Sequence, residues 1–254
     1  MKEKAKILNL IVPIITVVVI FVVWLIVAFS VDEEIIFPRP DTAFKEFFAL
    51  FTKVSFYSSL AATLLRSLIA FVISFSLAVT CAFVSEKFVP FAKVMHTLIP
   101  LIRALPTIAV VLLLVLWTRS STAAIIVTML VIFPTLFSSA RESIFSVGKE
   151  IPEMLAVYNI DGKTKFFKIY LPMVAPSLIY SAGTGLSLNI KLMVAAEVLA
   201  QTREGLGMMM NASKIYFETA SLFALVIVSV ILGLVFENLG SFIAKKMRSK
   251  YDRN

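Results

Sequence analysis

Long apolar stretches alternate with short charged stretches along the chain, and the apolar stretches predict the fold. A helix needs about 20 apolar residues to cross a bilayer. Six stretches of that length or longer cover residues 7–29, 58–84, 91–117, 120–140, 169–192 and 220–244. Because these runs are long rather than alternating in polarity, they predict helices and not the strands of a closed barrel. We therefore predict an all-α polytopic membrane protein with about six transmembrane helices, forming a single domain over residues 1–254.

Two of the predicted spans are interrupted by residues that break helices. These residues are Pro100 and Pro106 in the third span, and Pro172, Pro176, Gly183 and Gly185 in the fifth. Freed backbone groups are tolerated at membrane depth only where they are buried in protein or face a cavity. We therefore predict that both spans line a path through the membrane, with Pro106, Gly183 and Gly185 along it.

Charged residues inside the predicted spans are further candidates for function. Arg103 lies near the middle of the third span, where a cation costs about 2.5–3.5 kcal/mol on insertion scales. It is either a residue of the substrate path or a structural partner of a helix carbonyl or carboxylate, and both interpretations remain open. Arg66 lies nearer the outer end of its span, where a long basic side chain can extend to the surface. For Glu197, just past the outer end of the fifth span, we expect a structural or gating role.

The stretches between the spans predict shorter elements. Residues 41–54 are amphipathic and predict a short helix along the outer surface. Residues 193–219 are too polar to cross alone and too apolar for an exposed loop, so we expect them to dip back or to cap an opening. The charged loop over 141–168 should contain another short helix. Pro152 suits its first turn, Glu153 its N-terminus, and Gly162 a left-handed stop.

Composition agrees with a membrane protein and argues against other classes. Of the 254 residues, 59% are hydrophobic and 16% are charged, whereas soluble domains have about 25% charged residues. The net charge of +8 comes mostly from loops beside the spans. This placement is typical of the positive-inside rule rather than of a nucleic-acid-binding protein. The rule predicts that both termini and the loop over 141–168 are cytoplasmic.

The sequence offers little for catalysis on this chain. Cys81 and His96 are its only cysteine and histidine, so neither a disulfide nor a cluster of catalytic or metal-binding side chains can be assembled. Residues 161–164 read DGKT, like the end of a phosphate-binding loop, but Val157 occupies the position of the first glycine and no strand precedes it. We therefore expect no catalytic, cofactor or metal site, and no ATP hydrolysis by this chain.

The loop over 141–168 and its continuation into the fifth span resemble the cytoplasmic loop of binding-protein-dependent ABC transporter permeases. That loop reads Glu-Ala-Ala, then a glycine, then Ile-x-Leu-Pro, and the matching positions are Glu153, Ile169, Leu171 and Pro172. The usual alanines and glycine are replaced by Met154, Leu155 and Asn159. The likeness extends through residues 59–71, 98–110, 131–144 and 195–210. It looks most like the branch that imports nitrate, sulfonates, taurine, bicarbonate or thiamine-pathway precursors.

The resemblance implies that several subunits share the work. Two permease subunits form the path, two cytoplasmic ATP-binding subunits hold the ATP, and an extracytoplasmic solute-binding protein delivers the substrate. The short helix would be the coupling helix that contacts the ATP-binding subunit. Its coupling residues would be Glu153, Met154, Leu155, Tyr158, Asn159 and Gly162.

We accordingly expect a non-enzymatic importer subunit in a bacterial inner membrane, in contact with lipid and with a second copy of itself but not with nucleic acid. It would pass a small anionic solute inward by alternating access. The alternative is a stand-alone membrane channel or a membrane-embedded enzyme.

Overall fold

The computed structural model describes residues 2–145 and 171–251, with side chains for 11–145 and 171–247. Within these ranges the chain forms nine α-helices and no strands. They are α1 Lys2–Val31, α2 Pro40–Leu50, α3 Val54–Lys87, α4 Val89–Ala104, α5 Thr107–Trp117, α6 Ser120–Phe145, α7 Leu171–Ala200, α8 Leu206–Ile215 and α9 Thr219–Tyr251.

Five of the described helices contain a segment that is long and apolar enough to cross a membrane alone. These segments are Ile11–Val31, Val54–Lys87, Ser120–Phe145, Leu171–Ala200 and Thr219–Met247. Helices α4 and α5 qualify only as a pair, so the described residues hold six spans if that pair crosses as one. The prediction of an all-α polytopic membrane protein with about six transmembrane helices is confirmed.

The predicted third span is sharply bent, since α4 and α5 meet at 88°. Leu105, between the two helices, has an extended backbone with φ −66° and ψ 127°. A residue that precedes proline is pushed out of the helical region, so Pro106 explains the break. Pro100 lies inside α4 and does not end it. Of the two prolines expected to interrupt this span, only Pro106 therefore terminates a helix.

The chain divides into two compact units, of which the first comprises Met1–Tyr57 and Met209–Val228. In this unit the indole N–H of Trp24 donates to the carbonyl of Pro38 at 3.0 Å, and the ring of Trp24 lies 5.6 Å from that of Phe223. Helix α2 begins at Pro40, because proline suits a first helical turn. The short helix expected over 41–54 is thus confirmed, with the bounds Pro40–Leu50.

The second unit comprises Ser58–Met208 and Ser229–Asn254. Its core lies between α3, α4, α6 and α7, and includes the buried side chains of Phe71, Met95, Ile99, Ile132, Leu136, Phe137, Val174 and Leu178. Helices α6 and α7, which flank the loop over 141–168 in sequence, pack extensively against each other. The assignment of the whole chain to a single domain stays a prediction.

Candidate functional site

The predicted coupling residues lie outside the described residues. Glu153, Met154, Leu155, Tyr158, Asn159 and Gly162 all fall within 146–170. The described chain ends at Phe145 in α6 and resumes at Leu171 in α7. The coupling role of these residues stays a prediction, and the structure describes only the helices on either side.

A cluster of serine hydroxyls joins those two flanking helices. The hydroxyl of Ser177 in α7 donates to that of Ser143 in α6 at 2.9 Å, and Ser143 in turn donates to the carbonyl of Ser139. The hydroxyl of Ser181 lies 3.5 Å from that of Ser143. Hydrogen bonds between membrane helices stabilise their association by about 0.6 kcal/mol on average. The cluster therefore links the helix before the coupling segment to the helix after it, which sequence reasoning missed.

Two residues of the predicted path, Gly183 and Gly185, lie at helix contacts within this chain. A Cβ atom added to Gly183 would lie 2.5 Å from the Cα of Gly240, so the backbones of α7 and α9 touch at this point. A Cβ on Gly185 would lie 2.5 Å from the Cδ2 of Leu136 in α6. Glycine is required at Gly183 because the obstructing atoms are backbone atoms. The structure thus gives both glycines a packing role, and their place in a path stays a prediction.

Arg103 lies in the last turn of α4, directly before the bend at Pro106. Its guanidinium donates to the carbonyl of Pro134 at 3.2 Å and to the hydroxyl of Ser138 at 2.9 Å, both in α6. From the sequence, Arg103 is interpreted either as a residue of the substrate path or as a structural partner of a helix carbonyl or carboxylate, and the structure shows the bond to a helix carbonyl. Arg103 therefore holds the end of α4 against α6, and its role in a path, like that of Pro106, stays a prediction.

Three hydrogen-bond donors meet at the carboxylate of Glu197, in the last turn of α7. Its side chain is 0% exposed. One oxygen, Oε2, accepts hydrogen bonds from the hydroxyl of Thr63 at 2.8 Å and from the backbone N–H of Gly207 at 3.0 Å. The other, Oε1, accepts a charge-assisted hydrogen bond from Arg66 at 2.5 Å. Glu197 thus joins α3, α7 and the first turn of α8.

The Glu197 carboxylate also explains how α8 begins. A helix leaves its first backbone N–H groups without partners, and a negative charge is favourable there. In α8 the N–H of Gly207 donates to Glu197, and that of Leu206 donates to the hydroxyl of Thr63 at 2.8 Å. Gly205 has a φ of +129°, and a Cβ at either Gly205 or Gly207 would collide with the Glu197 side chain. The glycines around Leu206 therefore make room for the buried carboxylate.

One prediction about this region was wrong. Arg66 does not extend to the surface, because its side chain is only 13% exposed and forms an ion pair with Glu197. Its guanidinium also donates to the carbonyl of Glu204 at 2.7 Å. A buried cation is stabilised by a partner of opposite charge, and here that partner lies 131 residues away. Of the structural or gating role expected for Glu197, this geometry provides the structural one, and a gating role stays a prediction.

Two cavities lie beside these elements in the second unit. One, of about 770 Å³, is lined by Met95, His96, Ile99 and Pro100 of α4 and by Phe137, Ser138, Arg141, Glu142 and Phe145 of α6. The other, of about 480 Å³, is lined by Thr118, Arg119, Ser120, Ser121 and Arg203. The first is near the end of α6 that leads into the coupling segment. The second lies where the connection from α5 to α6 meets the connection from α7 to α8.

Comparison with known proteins supplies a family. A sequence model described as binding-protein-dependent transport system inner membrane component matches residues 74–249. Probable ABC transporter permease proteins of Brucella melitensis biotype 1 and Brucella abortus strain 2308 are each 23% identical to this chain over 206 residues. Those matches cover 81% of this chain, and 83% and 82% of the two relatives.

Solved structures give the same fold. Two crystal forms of the MetNI methionine ABC transporter, both in inward facing conformations, contain a chain similar to this one. The TM-scores are 0.61 and 0.59, with 18% and 16% sequence identity. Each comparison covers 75% of this chain and 93% of the other.

Proposed function

This chain belongs to the family of binding-protein-dependent transport system inner membrane components, and from that premise we propose that it is the permease subunit of an ABC importer. It passes a small anionic solute inward by alternating access, while a separate subunit binds and hydrolyses ATP. The observation that carries the proposal is the family match, which runs from the second half of α3 to the last turn of α9.

The relatives support the division between permease and ATPase. The Brucella proteins are described as probable ABC transporter permeases, and the MetNI structures are of a methionine ABC transporter in inward facing conformations. An importer of this kind needs a cytoplasmic ATP-binding subunit, an extracytoplasmic solute-binding protein and a second copy of the permease. We place it in a bacterial inner membrane with both ends cytoplasmic, which agrees with the charge distribution of the loops.

The geometry suggests how an ATPase could move this chain. The coupling residues fall within 146–170, which lie between α6 and α7 in the sequence, and the hydroxyl cluster at Ser143 and Ser177 links those two helices close to their ends at this segment. A partner that pushes on the segment would therefore move α6 and α7 as a pair. At the other end of α7, Glu197 carries the start of α8 and binds α3. Rigid-body movement of packed helices is a common form of switching, and it would alternate access to the path.

The test is ATP-driven uptake by the permease, reconstituted with the ATP-binding and solute-binding partners that co-purify with it. Uptake of radiolabelled sulfate, bicarbonate and taurine into proteoliposomes should require ATP. Gly162→Trp, or Met154→Asp combined with Tyr158→Asp, should abolish uptake while the permease remains inserted, because these changes alter the surface offered to the ATPase. Full uptake in these variants would refute the coupling role. Uptake without ATP or the ATPase would favour the stand-alone channel.

A further inference from the structure

The cavity of about 480 Å³ has a lining unlike that of a lipid-facing groove. Its lining consists of two arginines and three residues with hydroxyl groups, namely Thr118, Arg119, Ser120, Ser121 and Arg203. No carboxylate of the described residues takes part in it. Glu204 follows Arg203 in the chain but does not line the cavity. Cavities of roughly 300–1,000 Å³ hold small molecules, so the space suits a small solute or a single lipid headgroup.

The backbone that carries Arg119 is fixed at the start of α6. The carbonyl of Arg119 accepts the N–H of Ala123 at 2.9 Å, which is the first hydrogen bond of that helix. The preceding residue, Thr118, donates both its N–H and its hydroxyl to the carbonyl of Leu114 at 2.8 Å, which closes the end of α5. Arg119 therefore projects from a short connection that is hydrogen-bonded on both sides.

The backbone that carries Arg203 is fixed by the Glu197 network. The N–H of Thr202 donates to the carbonyl of Glu197 at 3.2 Å, and its hydroxyl donates to the carbonyl of Glu204 at 3.0 Å. The same Glu204 carbonyl accepts from Arg66. Arg203 is thus held between two anchored residues, although its own side chain is exposed. The network that buries one carboxylate also sets the position of this arginine.

With six spans and cytoplasmic ends, the connections that carry Arg119 and Arg203 are predicted on the outer side of the membrane, and charge pairing separates these two arginines from most of the other basic residues predicted there. Three of those residues lie 3.0–3.9 Å from a carboxylate, as the pairs Arg39–Asp32, Lys45–Asp41 and Lys53–Glu46. Neither Arg119 nor Arg203 has such a partner within the ranges that the structure describes. A guanidinium offers donors in a fork that matches the oxygens of a carboxylate, sulfonate or phosphate. Two such guanidinium groups around one cavity therefore favour a negatively charged group as the occupant of that cavity.

We propose that Arg119 and Arg203 form a binding site for an oxyanion, a group of the carboxylate, sulfonate or phosphate type, at the outer mouth of this chain. The role of this site in transport, which is to capture an anionic solute before it enters the path, rests on the proposed function. The existence of the binding site does not depend on that function. An acidic protein surface fits less well, because the basic groups line a concave space of limited volume rather than a flat face.

The test is a titration of the full-length permease in nanodiscs of neutral phosphatidylcholine with methanesulfonate at constant ionic strength. Trp117 lies two residues before Arg119 and is exposed, so its fluorescence serves as the readout. Trp24 is the only other tryptophan in the sequence, and a Trp24→Phe variant isolates the signal of Trp117. Arg119→Gln and Arg203→Gln should each weaken a saturable response by about tenfold or more, as expected for loss of charge-assisted hydrogen bonds.

Arg39→Gln is the matched control, because Arg39 is an exposed outer arginine that already has carboxylate partners. It should leave the response unchanged. No saturable response in the wild-type protein, or equal weakening by Arg39→Gln, would overturn the proposal. So would binding of an acidic partner protein that depends on Arg119 when methanesulfonate gives no response.

Two further measurements complete the test. The first distinguishes a lipid headgroup from a free solute as the source of the anion, and the second distinguishes failure of the binding site from failure of the importer proposal. In discs that contain anionic phosphatidylglycerol, weakening of the wild-type response identifies a lipid headgroup as a competing occupant, whereas an unchanged response identifies a free solute; either supports the site. ATP-driven uptake is measured separately. Uptake without methanesulfonate binding overturns this site but not the importer. Binding without any ATP-driven uptake overturns the importer but not the site.

Discussion

Replacement of Glu197 is the most direct test of the structure. Glu197→Ala removes the acceptor for Thr63, Arg66 and Gly207, and it leaves the Arg66 cation largely buried without a partner. Breaking a buried ion pair by removal of one member costs about 3–5 kcal/mol. Glu197→Gln keeps the size and part of the hydrogen bonding but loses the charge, so about 1.5–3 kcal/mol is expected from the weakened charge-assisted bonds.

The assay is reversible unfolding of the purified permease in mixed micelles, with the free energy of unfolding compared among variants. Glu204→Gln is the matched control, because Glu204 lies in the same connection with an exposed side chain and contributes only its carbonyl to Arg66. It should change the free energy of unfolding by less than about 0.5 kcal/mol. Combining Glu197→Ala with Arg66→Met should cost less than the sum of the single changes, since the unpaired charge is removed. Strict additivity, or equal losses for Glu197→Ala and Glu204→Gln, would refute the ion-pair argument.

Three other changes test the helix contacts. Gly183→Ala should lower the free energy of unfolding by several kcal/mol, on the order of 3, because its Cβ would meet the α9 backbone. Gly233→Ala is the control, because the nearest contact of its added Cβ is a side-chain oxygen at 3.1 Å. It should lower the free energy of unfolding far less in the same assay. Ser143→Ala and Ser177→Ala should show a coupling energy of about 0.6 kcal/mol in a double-mutant cycle; zero coupling would mean that the 2.9 Å bond does not stabilise the pair. Arg103→Ala should reduce ATP-driven uptake in proteoliposomes because the end of α4 loses its hold on α6, and unchanged uptake would remove this residue from the mechanism.

The spans could be predicted from the sequence because their signal is local. A run of about 20 apolar residues has few alternatives to crossing a membrane, and the predicted stretches 58–84, 120–140, 169–192 and 220–244 all fall largely within described helices. The break at Pro106 was also predictable as an interruption, since proline restricts the residue before it. Its angle of 88° was not, because that angle depends on how α5 packs on α6 and α7.

The site around Glu197 could not be predicted from one sequence. Arg66 and Glu197 are 131 residues apart, and nothing in their local patterns links them. Each alone has an ordinary interpretation, a basic side chain that reaches the surface and a carboxylate at the end of a span. The one local signal was the pair of glycines at 205 and 207, which indicates tight backbone packing but does not name the partner. The same limit applies to Arg119 and Arg203, which meet only through the fold.

The contact between Gly183 and Gly240 gives α7 a fulcrum. With no side chains between the two backbones, α7 can tilt on α9 more readily than it can slide along it. At 1.5 Å per residue, the arm from Gly183 to Leu171 is about 18 Å and the arm to Glu197 about 21 Å. A tilt of about 10° would then displace Leu171 by about 3 Å and Glu197 by about 4 Å in the opposite direction. A displacement of α7 at the coupling segment would thus produce a slightly larger displacement, in the opposite direction, at the connection that holds Arg203.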